Sequence, residues 1–256
     1  AAPAATLKSD ATVISLVGFA HGTSHFYHLM LPSLFPWFMT DFGLGYAQVG
    51  VLMTVFFVTS SIGQAIAGIW VDKFGAHRVL CAGVGTLAMS GVLVSVAPNF
   101  AGVLVAAVVA GIGNSVFHPA DFALLAKRVS QPRMGHAFST HGIAGNLGWA
   151  IAPVFMAAVA SAAGWRAAGA VAALFGAASL TLLIWKRDLL RYELQQEAAI
   201  EMEASVSRAP RSTWSFLREP MVWYAFAFFF FATFGFGALQ NFAPPLLREL
   251  FGLSLA

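Results

Sequence analysis

Histidines are the side chains of this sequence that are best placed to do chemistry. Three of them, His21, His25 and His28, follow one another at spacings of four and three residues within a long apolar stretch. On a helix these spacings place side chains on one stripe. An ionisable group inside such a helix is a functional candidate, because its burial costs free energy. We predict that the stripe lines a water-filled path; the alternative is that the histidines pack against neighbouring helices.

Other polar residues occur in later apolar stretches. Asn114 and His118 are four residues apart, and Pro119 predicts a kink or a break in the helix that carries them. His141 and Asn146 lie in a stretch that also carries three glycines at three-residue spacing, which favours close helix packing. The residues predicted to line this path are His21, His25, His28, Asn114, His118, His141, Asn146, Gln240 and Asn241.

A metal site is a weaker interpretation of these histidines. Imidazole is a common ligand, but no carboxylate or cysteine lies nearby in the sequence, and Asp41, Asp72 and Asp121 are all predicted at helix ends. The single cysteine, Cys81, excludes an internal disulfide. The sequence contains neither a nucleotide-binding loop nor a pairing of nucleophile and base. We therefore predict no metal, no cofactor and no enzymatic activity.

The elements that carry these residues are apolar stretches long enough to cross a bilayer, which takes about 20 helical residues. Hydrophobic residues make up 59% of the chain and charged residues only 10%, against about 25% charged in a soluble domain. The composition predicts an all-α membrane protein, so the pI of about 9.3 does not indicate nucleic-acid binding. Seven spans are predicted, at residues 13–39, 48–71, 79–97, 100–120, 135–163, 166–185 and 221–247.

The basic residues predict how these spans are oriented. If the amino terminus is cytoplasmic, twelve of the fourteen lysines and arginines fall on the cytoplasmic side, and only Arg166 and Arg248 fall outside. Cytoplasmic loops carry such an excess. We therefore predict a multi-pass protein with a cytoplasmic amino terminus.

The link between the second and third spans reads Gly68-Ile69-Trp70-Val71-Asp72-Lys73-Phe74-Gly75-Ala76-His77-Arg78. Its pattern resembles the loop signature found after the second helix in the major facilitator superfamily, although His77 stands at the first of the family's two adjacent basic positions. The resemblance implies that Arg78 pairs with Asp121, an acid near the end of the fourth helix, and that Asp72 faces the second half of the protein. We define the latch as Gly68, Asp72, Lys73, Gly75, Arg78 and Asp121, which would steady one transport state.

Two further stretches, taken together with this link, are similar to the fosmidomycin-resistance branch of that superfamily. They are Ser24-His25-Phe26-Tyr27 through Leu31-Pro32, and Gly113-Asn114-Ser115-Val116-Phe117-His118-Pro119-Ala120. The branch implies an inner-membrane secondary transporter, an antiporter that exports a small molecule by alternating access. Because histidine titrates near neutral pH, the expected coupling ion is the proton. One departure is Ala107, which stands where the family often carries an arginine linked to proton coupling. The alternatives are a facilitator without proton coupling and a membrane sensor or scaffold that transports nothing.

A short internal repeat predicts the domain organisation. When Pro36 is placed on Pro245, Phe42-Gly43-Leu44 falls on Phe251-Gly252-Leu253. This match fits the family plan of two six-helix halves joined by a long cytoplasmic loop. We predict a six-helix half at residues 1–185, the central loop at 186–220 and the first helix of an incomplete second half at 221–256. Five further helices are expected in the same polypeptide.

Overall fold

The computed structural model describes residues 7–190 and 218–252, and every regular element within these two ranges is helical. A short 3₁₀ helix at Gln131–Arg133 precedes the seventh α-helix. The α-helices are α1 Leu7–Ser33, α2 Phe35–Phe42, α3 Tyr46–Phe74, α4 Ala76–Val96, α5 Phe100–Asn114, α6 Phe117–Arg128, α7 Met134–Ala163, α8 Trp165–Trp185, α9 Arg187–Leu190 and α10 Pro220–Phe251. The predicted all-α membrane fold is confirmed.

In the part of the chain that the structure describes, six stretches of helix are long and apolar enough to cross a membrane, against seven predicted spans. They comprise α3, α4, α5 together with α6, α7 with the 3₁₀ turn before it, α8, and residues 220–239 of α10. The first predicted span, which contains α1, is not among them. Its histidines and hydroxyl side chains lower its mean hydropathy.

The first predicted span is two helices rather than one. It breaks at Leu34, between α1 and α2. Pro36 lies in the first turn of α2; it has no N–H to donate, and its ring would clash with the carbonyl group of Pro32 in a continuous helix. The predicted single helix over residues 13–39 is therefore wrong in this detail.

The fourth predicted span also contains a break, as Pro119 predicts, and the structure shows where it lies. α5 ends at Asn114 and α6 begins at Phe117. Pro119 cannot donate to the carbonyl of Ser115, so the helix opens one turn before the proline rather than at it. α6 then continues to Arg128, in agreement with the helical extension predicted beyond residue 120. The break turns the first residues of α6 relative to α5, and α6 carries His118 and Asp121.

The two copies of the predicted repeat have nearly the same φ angle at their corresponding glycines. α2 is followed by Gly43 with a φ of 65°, and α10 is followed by Gly252 with a φ of 62°. In both places the glycine follows a phenylalanine and adopts a left-handed conformation that most side chains disfavour. The described residues fall into two compact units, 7–190 and 218–252, and α10 is the long helix of the second.

Within the first unit, α1 is a central helix that packs along α7, while α3 packs on α5 and α4 packs on α8. Close approach of α1 and α7 depends on glycines. A Cβ atom added to Gly145 would lie 2.8 Å from the His25 ring, and one added to Gly148 would meet the backbone of Gly22. Gly142, on the same helix, has open space around it. The predicted packing role therefore holds for Gly145 and Gly148 but not for Gly142.

A polar contact fixes the beginning of α1. Asp10 is fully buried, and its Oδ2 accepts hydrogen bonds from the Ser130 hydroxyl at 2.5 Å and from the Arg133 guanidinium at 2.6 Å. The Ser130 hydroxyl and then Arg133 hold the pKa of Asp10 below its usual value, against the opposing effect of burial. This contact ties the start of α1 to the link between α6 and α7.

Candidate functional site

The three histidines of α1 form one continuous row of rings. The ring centroids of His21 and His25 are 4.3 Å apart, and those of His25 and His28 are 4.9 Å apart. His21 and His25 are buried, with 3% and 8% of their surface exposed, and His28 is half-buried. The shared stripe predicted from their spacing is therefore present in the structure.

A buried carboxylate lies at one end of this row. Asp121 Oδ2 is 3.1 Å from His21 Nδ1 and 3.2 Å from His141 Nε2. Because a carboxylate accepts, each imidazole donates an N–H, which assigns the protonated nitrogen of each ring. Asp121 is fully buried, and its Oδ1 has no hydrogen-bond partner. Asp121 was predicted at a helix end as part of the latch, and not among the residues of the path.

The predicted contact between Arg78 and Asp121 is wrong in this structure. Among the described residues, the ion pairs of Asp121 are with His21 and His141. Arg78 is exposed at the start of α4. The break before α6 allows Asp121 to turn towards α1 and α7, so its carboxylate points into the bundle instead of towards the α3–α4 link.

A second polar chain crosses the bundle at the other end of the row. Trp149 Nε1 donates to His28 Nδ1 at 3.3 Å, and His28 Nε2 then donates to Asn114 Oδ1 at 2.7 Å. Asn114 Nδ2 donates in turn to Ser60 Oγ at 2.7 Å. The Trp149 N–H can only donate, so the direction of every bond in this chain is fixed. The chain joins α7, α1, α5 and α3.

His118 lies at the more open side of the same region. Its Nδ1 is 3.2 Å from Gln64 Oε1 on α3, and its ring centroid is 5.3 Å from that of His21. Asn146 is exposed on α7, and no hydrogen bond of its side chain is found in the described part of the chain. Of the predicted path residues in the first unit, the structure thus brings together five histidines and Asn114, but not Asn146.

Three contributors to this region were not predicted: Ser60, Gln64 and Trp149. A signal for them exists in the sequence. Ser60 and Gln64 are four residues apart on α3, and Trp149 follows His141 by eight residues on α7. Ser60 and Gln64 therefore share a helix face with each other, and Trp149 shares one with His141.

The remaining predicted residues lie elsewhere. Gln240 is in α10, but its side chain is outside the described residues, and Asn241 Nδ2 donates to the Gly237 carbonyl at 2.6 Å. In the latch, Gly68, Asp72 and Lys73 are exposed. Gly75 makes the predicted bend, with a φ of 85° between α3 and α4.

Within the described residues, two sets of three side chains come close enough to hold a metal ion, and both include His21. One set is His21, His25 and His118, and the other is His21, Asp121 and His141; in each set the ligand atoms lie within 4.8 Å of one another. In the second set the rings of His21 and His141 are stacked, with centroids 3.5 Å apart. A metal bound by both would lie out of their ring planes, so this set favours hydrogen bonding in its present arrangement.

Known proteins resemble this chain over most of its length. A family model described as Major Facilitator Superfamily matches residues 14–256. The fosmidomycin resistance protein of Escherichia coli (strain K12) is 29% identical over 160 residues, which are 62% of this chain and 39% of that protein. A probable 4-methylmuconolactone transporter of Cupriavidus pinatubonensis (strain JMP 134 / LMG 1197) is 31% identical over 192 residues, 73% of this chain and 42% of that protein.

A solved structure agrees at the level of the fold. The crystal structure of a peptide transporter, POT, in complex with sulfate matches with a TM-score of 0.64 at 14% identity, over 77% of this chain and 44% of that one. At this identity the likeness shows the fold alone. The chain spans less than half the length of the curated relatives described above.

Proposed function

The chain belongs to the major facilitator superfamily, and we propose that it is part of a secondary active transporter that moves a small molecule across a membrane by alternating access. Membership of this family agrees with the prediction that the protein is not an enzyme. The six membrane-capable helices make it a multi-pass membrane protein. In this proposal the membrane is the bacterial inner membrane, and the amino terminus is cytoplasmic.

The observation that carries the proposal is the polar region inside an otherwise apolar bundle. It joins α1, α3, α5, α6 and α7 through the hydrogen bonds of His21, His28, Asn114, Asp121 and Trp149. A polar group left without a partner in such surroundings costs several kcal/mol. Polar residues are therefore rare inside membrane helices and mark substrate or ion pathways there. Packing alone would not require so many polar side chains in one place.

The arrangement of the halves follows from the same proposal. Residues 1–185 form one six-helix half, residues 186–220 the central loop, and residues 221–256 begin the second half, which completes the transporter in the same polypeptide. In this proposal the polar region lines the path of the substrate. Most of the central loop lies outside the described residues, so its role rests on the sequence alone.

The direction and driving force are also part of the proposal. We assign the protein to efflux in exchange for protons, and the name of the Escherichia coli relative, a resistance protein, supports export. The path contains five histidines, and histidine is the side chain that titrates near neutral pH. This chemistry favours the proton as the coupling ion.

The latch has a separate role in this proposal. Asp72 and Arg78 are both exposed at the turn between α3 and α4, where they are free of the polar region that holds Asp121. They would contact the second half in one of the two transport states. An exposed ion pair contributes only ~0–1 kcal/mol, which suits a contact that forms and breaks during the cycle.

Transport by the full-length protein in proteoliposomes tests this function. The two probes are fosmidomycin and 4-methylmuconolactone, chosen from the names of the relatives. We expect an imposed proton gradient to drive the flux of at least one probe and a protonophore to abolish it. Flux that ignores the gradient would indicate a facilitator. A folded protein that moves neither probe would favour a sensor or scaffold.

A path variant with a matched control links the flux to the polar region. In Asn114→Leu, the amide that bonds His28 and Ser60 is lost. Leaving buried partners unpaired costs ~1–3 kcal/mol, so we expect about a tenfold or larger loss of flux. His136→Ala changes an exposed histidine of α7 outside the path and should leave the flux unchanged. Equal flux in both variants would contradict the assignment of the path.

A further inference from the structure

We propose that His21, His25 and His118 form a binding site for one divalent transition-metal ion, with Zn²⁺ as the ion that the site would take. The inference goes beyond the proposed transport function and does not depend on it. It rests on the distances between these side chains, on the groups that hold them, and on the charge around them.

The three rings converge from two helices. His21 and His25 are one turn apart on α1, and His118 comes from the first turn of α6, after the break that follows Asn114. One nitrogen of each ring lies within 4.8 Å of the other two. Zinc binds imidazole nitrogen at ~2.0–2.1 Å, so in a tetrahedral site the nitrogens are about 3.3 Å apart. Small rotations of the rings, closing about 1.5 Å at most, would bring them to that separation.

The hydrogen bonds that His21 and His118 make to other residues each use one ring nitrogen and leave the other available for a metal. His21 uses Nδ1 to donate to Asp121, and His118 uses Nδ1 to bond Gln64, so the Nε2 of each ring remains for a ligand. His25 Nδ1 is buried without a hydrogen-bond partner. A metal-bound histidine almost always donates its other N–H to a carboxylate, a carbonyl oxygen or water, which fixes its orientation. Asp121 and Gln64 already hold His21 and His118 in this way.

The local charge also favours a cation. Asp121 is fully buried, and its ion pairs among the described residues are with His21 and His141, which carry a positive charge only if they are protonated. A buried carboxylate needs a compensating positive charge, because an uncompensated one is strongly destabilising. A divalent ion on His21, one ring away from Asp121, would supply it.

The ligand set also determines the class of metal. Three imidazole nitrogens with an open fourth position are typical of zinc, as in sites with three histidines and a water. Imidazole also suits copper and nickel, whereas magnesium and calcium prefer oxygen ligands. The alternative set, His21 with Asp121 and His141, is disfavoured because the His21 and His141 rings are stacked with a 24° angle between their planes.

Metal binding by the purified protein, without a polyhistidine tag, tests the proposal. We expect equilibrium dialysis to give one Zn²⁺ per chain. Co²⁺ in its place should show the intense visible absorption of a tetrahedral site, and Zn²⁺ should displace it. His118→Gln should abolish this spectrum; because His118 is partly exposed, this variant should fold, as gel filtration and circular dichroism would check. His136→Ala, an exposed histidine on α7, is the matched control and should bind as the wild type does.

Two further variants change residues next to the three ligands, Gln64 and His141, and test which side chains hold the ion. Gln64→Leu keeps all three ligands but removes the hydrogen bond to His118, and loss of such a partner lowers metal affinity by roughly 10–100-fold. His141→Ala should retain the Co²⁺ spectrum. The proposal is overturned if the wild type binds no more Zn²⁺ than His118→Gln, or if the Co²⁺ spectrum is octahedral. It is equally overturned if His141→Ala abolishes binding while His118→Gln does not, which would place the ion on Asp121 and His141. None of these results depends on whether the protein transports a substrate.

Discussion

Replacing Gly148 with alanine tests the packing of α1 against α7 most directly. The added Cβ would meet the backbone of Gly22 and lie 3.0 Å from both the His25 Cβ and the Phe26 backbone nitrogen. Backbone atoms cannot rotate away as the tip of a side chain can, so the two helices have to separate. Gly142→Ala is the matched control, because it is the same change on the same helix with nothing within 4 Å of the new atom.

The expected size of the effect follows from the difference between these variants. Alanine gains about 1 kcal/mol over glycine in a helix, and this gain applies to both variants and cancels. Overpacking a tight contact costs ~1–3 kcal/mol, and this cost applies to Gly148→Ala alone. For a chain of this size 1 kcal/mol corresponds to roughly 2–4 °C, so Gly148→Ala should unfold about 2–12 °C below Gly142→Ala.

Thermal unfolding of both variants in the same detergent, followed by circular dichroism, measures this gap. Moving α1 away from α7 should also displace the His25 ring from its neighbours His21 and His28, because His25 lies against Gly145 and Gly148. Equal unfolding temperatures for the two variants would refute the reasoning, since they would mean that α1 and α7 do not approach each other at this point.

Two further predictions concern other contacts of α1. Tyr27→Phe removes a buried hydrogen bond of 2.5 Å to the Ala172 carbonyl. The unpaired carbonyl should cost ~1–3 kcal/mol, seen as a lower unfolding temperature; an unchanged temperature would contradict the contact. Asp10→Asn should destabilise the protein in a pH-dependent way. Bonds from Ser130 and Arg133 lower the pKa of Asp10, so its contribution is complete above about pH 4, the unfolded value, and is lost as the pH falls below it. The stability gap between wild type and Asp10→Asn should therefore close in acid, and a gap that stays constant down to about pH 3 would count against it.

The helices could be predicted from the sequence because their signals are local. A long apolar stretch predicts a helix at its own position. In the same way Gly75, Pro36 and Pro119 each affect the backbone within about one turn. Gly75 does take the left-handed conformation that the bend requires. The exact residues at which the helices break were harder to predict. A proline removes the hydrogen bond to the carbonyl group four residues before it, so the break lies before the proline rather than at it.

The candidate site was only partly predictable, for a related reason. The row of His21, His25 and His28 follows from spacing on a single helix. The burial of Asp121 depends on how α6 turns after its break and on which helix it then faces, and no local pattern encodes that. From the sequence, Asp121 is predicted at the end of a helix, seven residues before Arg128. In the structure it is fully buried.

The burial of α1 has a consequence for how this protein is made. Among the described helices α1 is synthesised before the others, and of the spans predicted in the first unit it is the one missing from the described helices that are long and apolar enough to cross a membrane. Insertion from the translocon into lipid depends on the hydropathy of a helix. The helix that covers the histidine row, α7, begins only at Met134, so residues 34–133 are synthesised first. During that interval the nascent α1 has its polar stripe uncovered, and it must be retained by the insertion machinery or by α3 and α5 until α7 arrives.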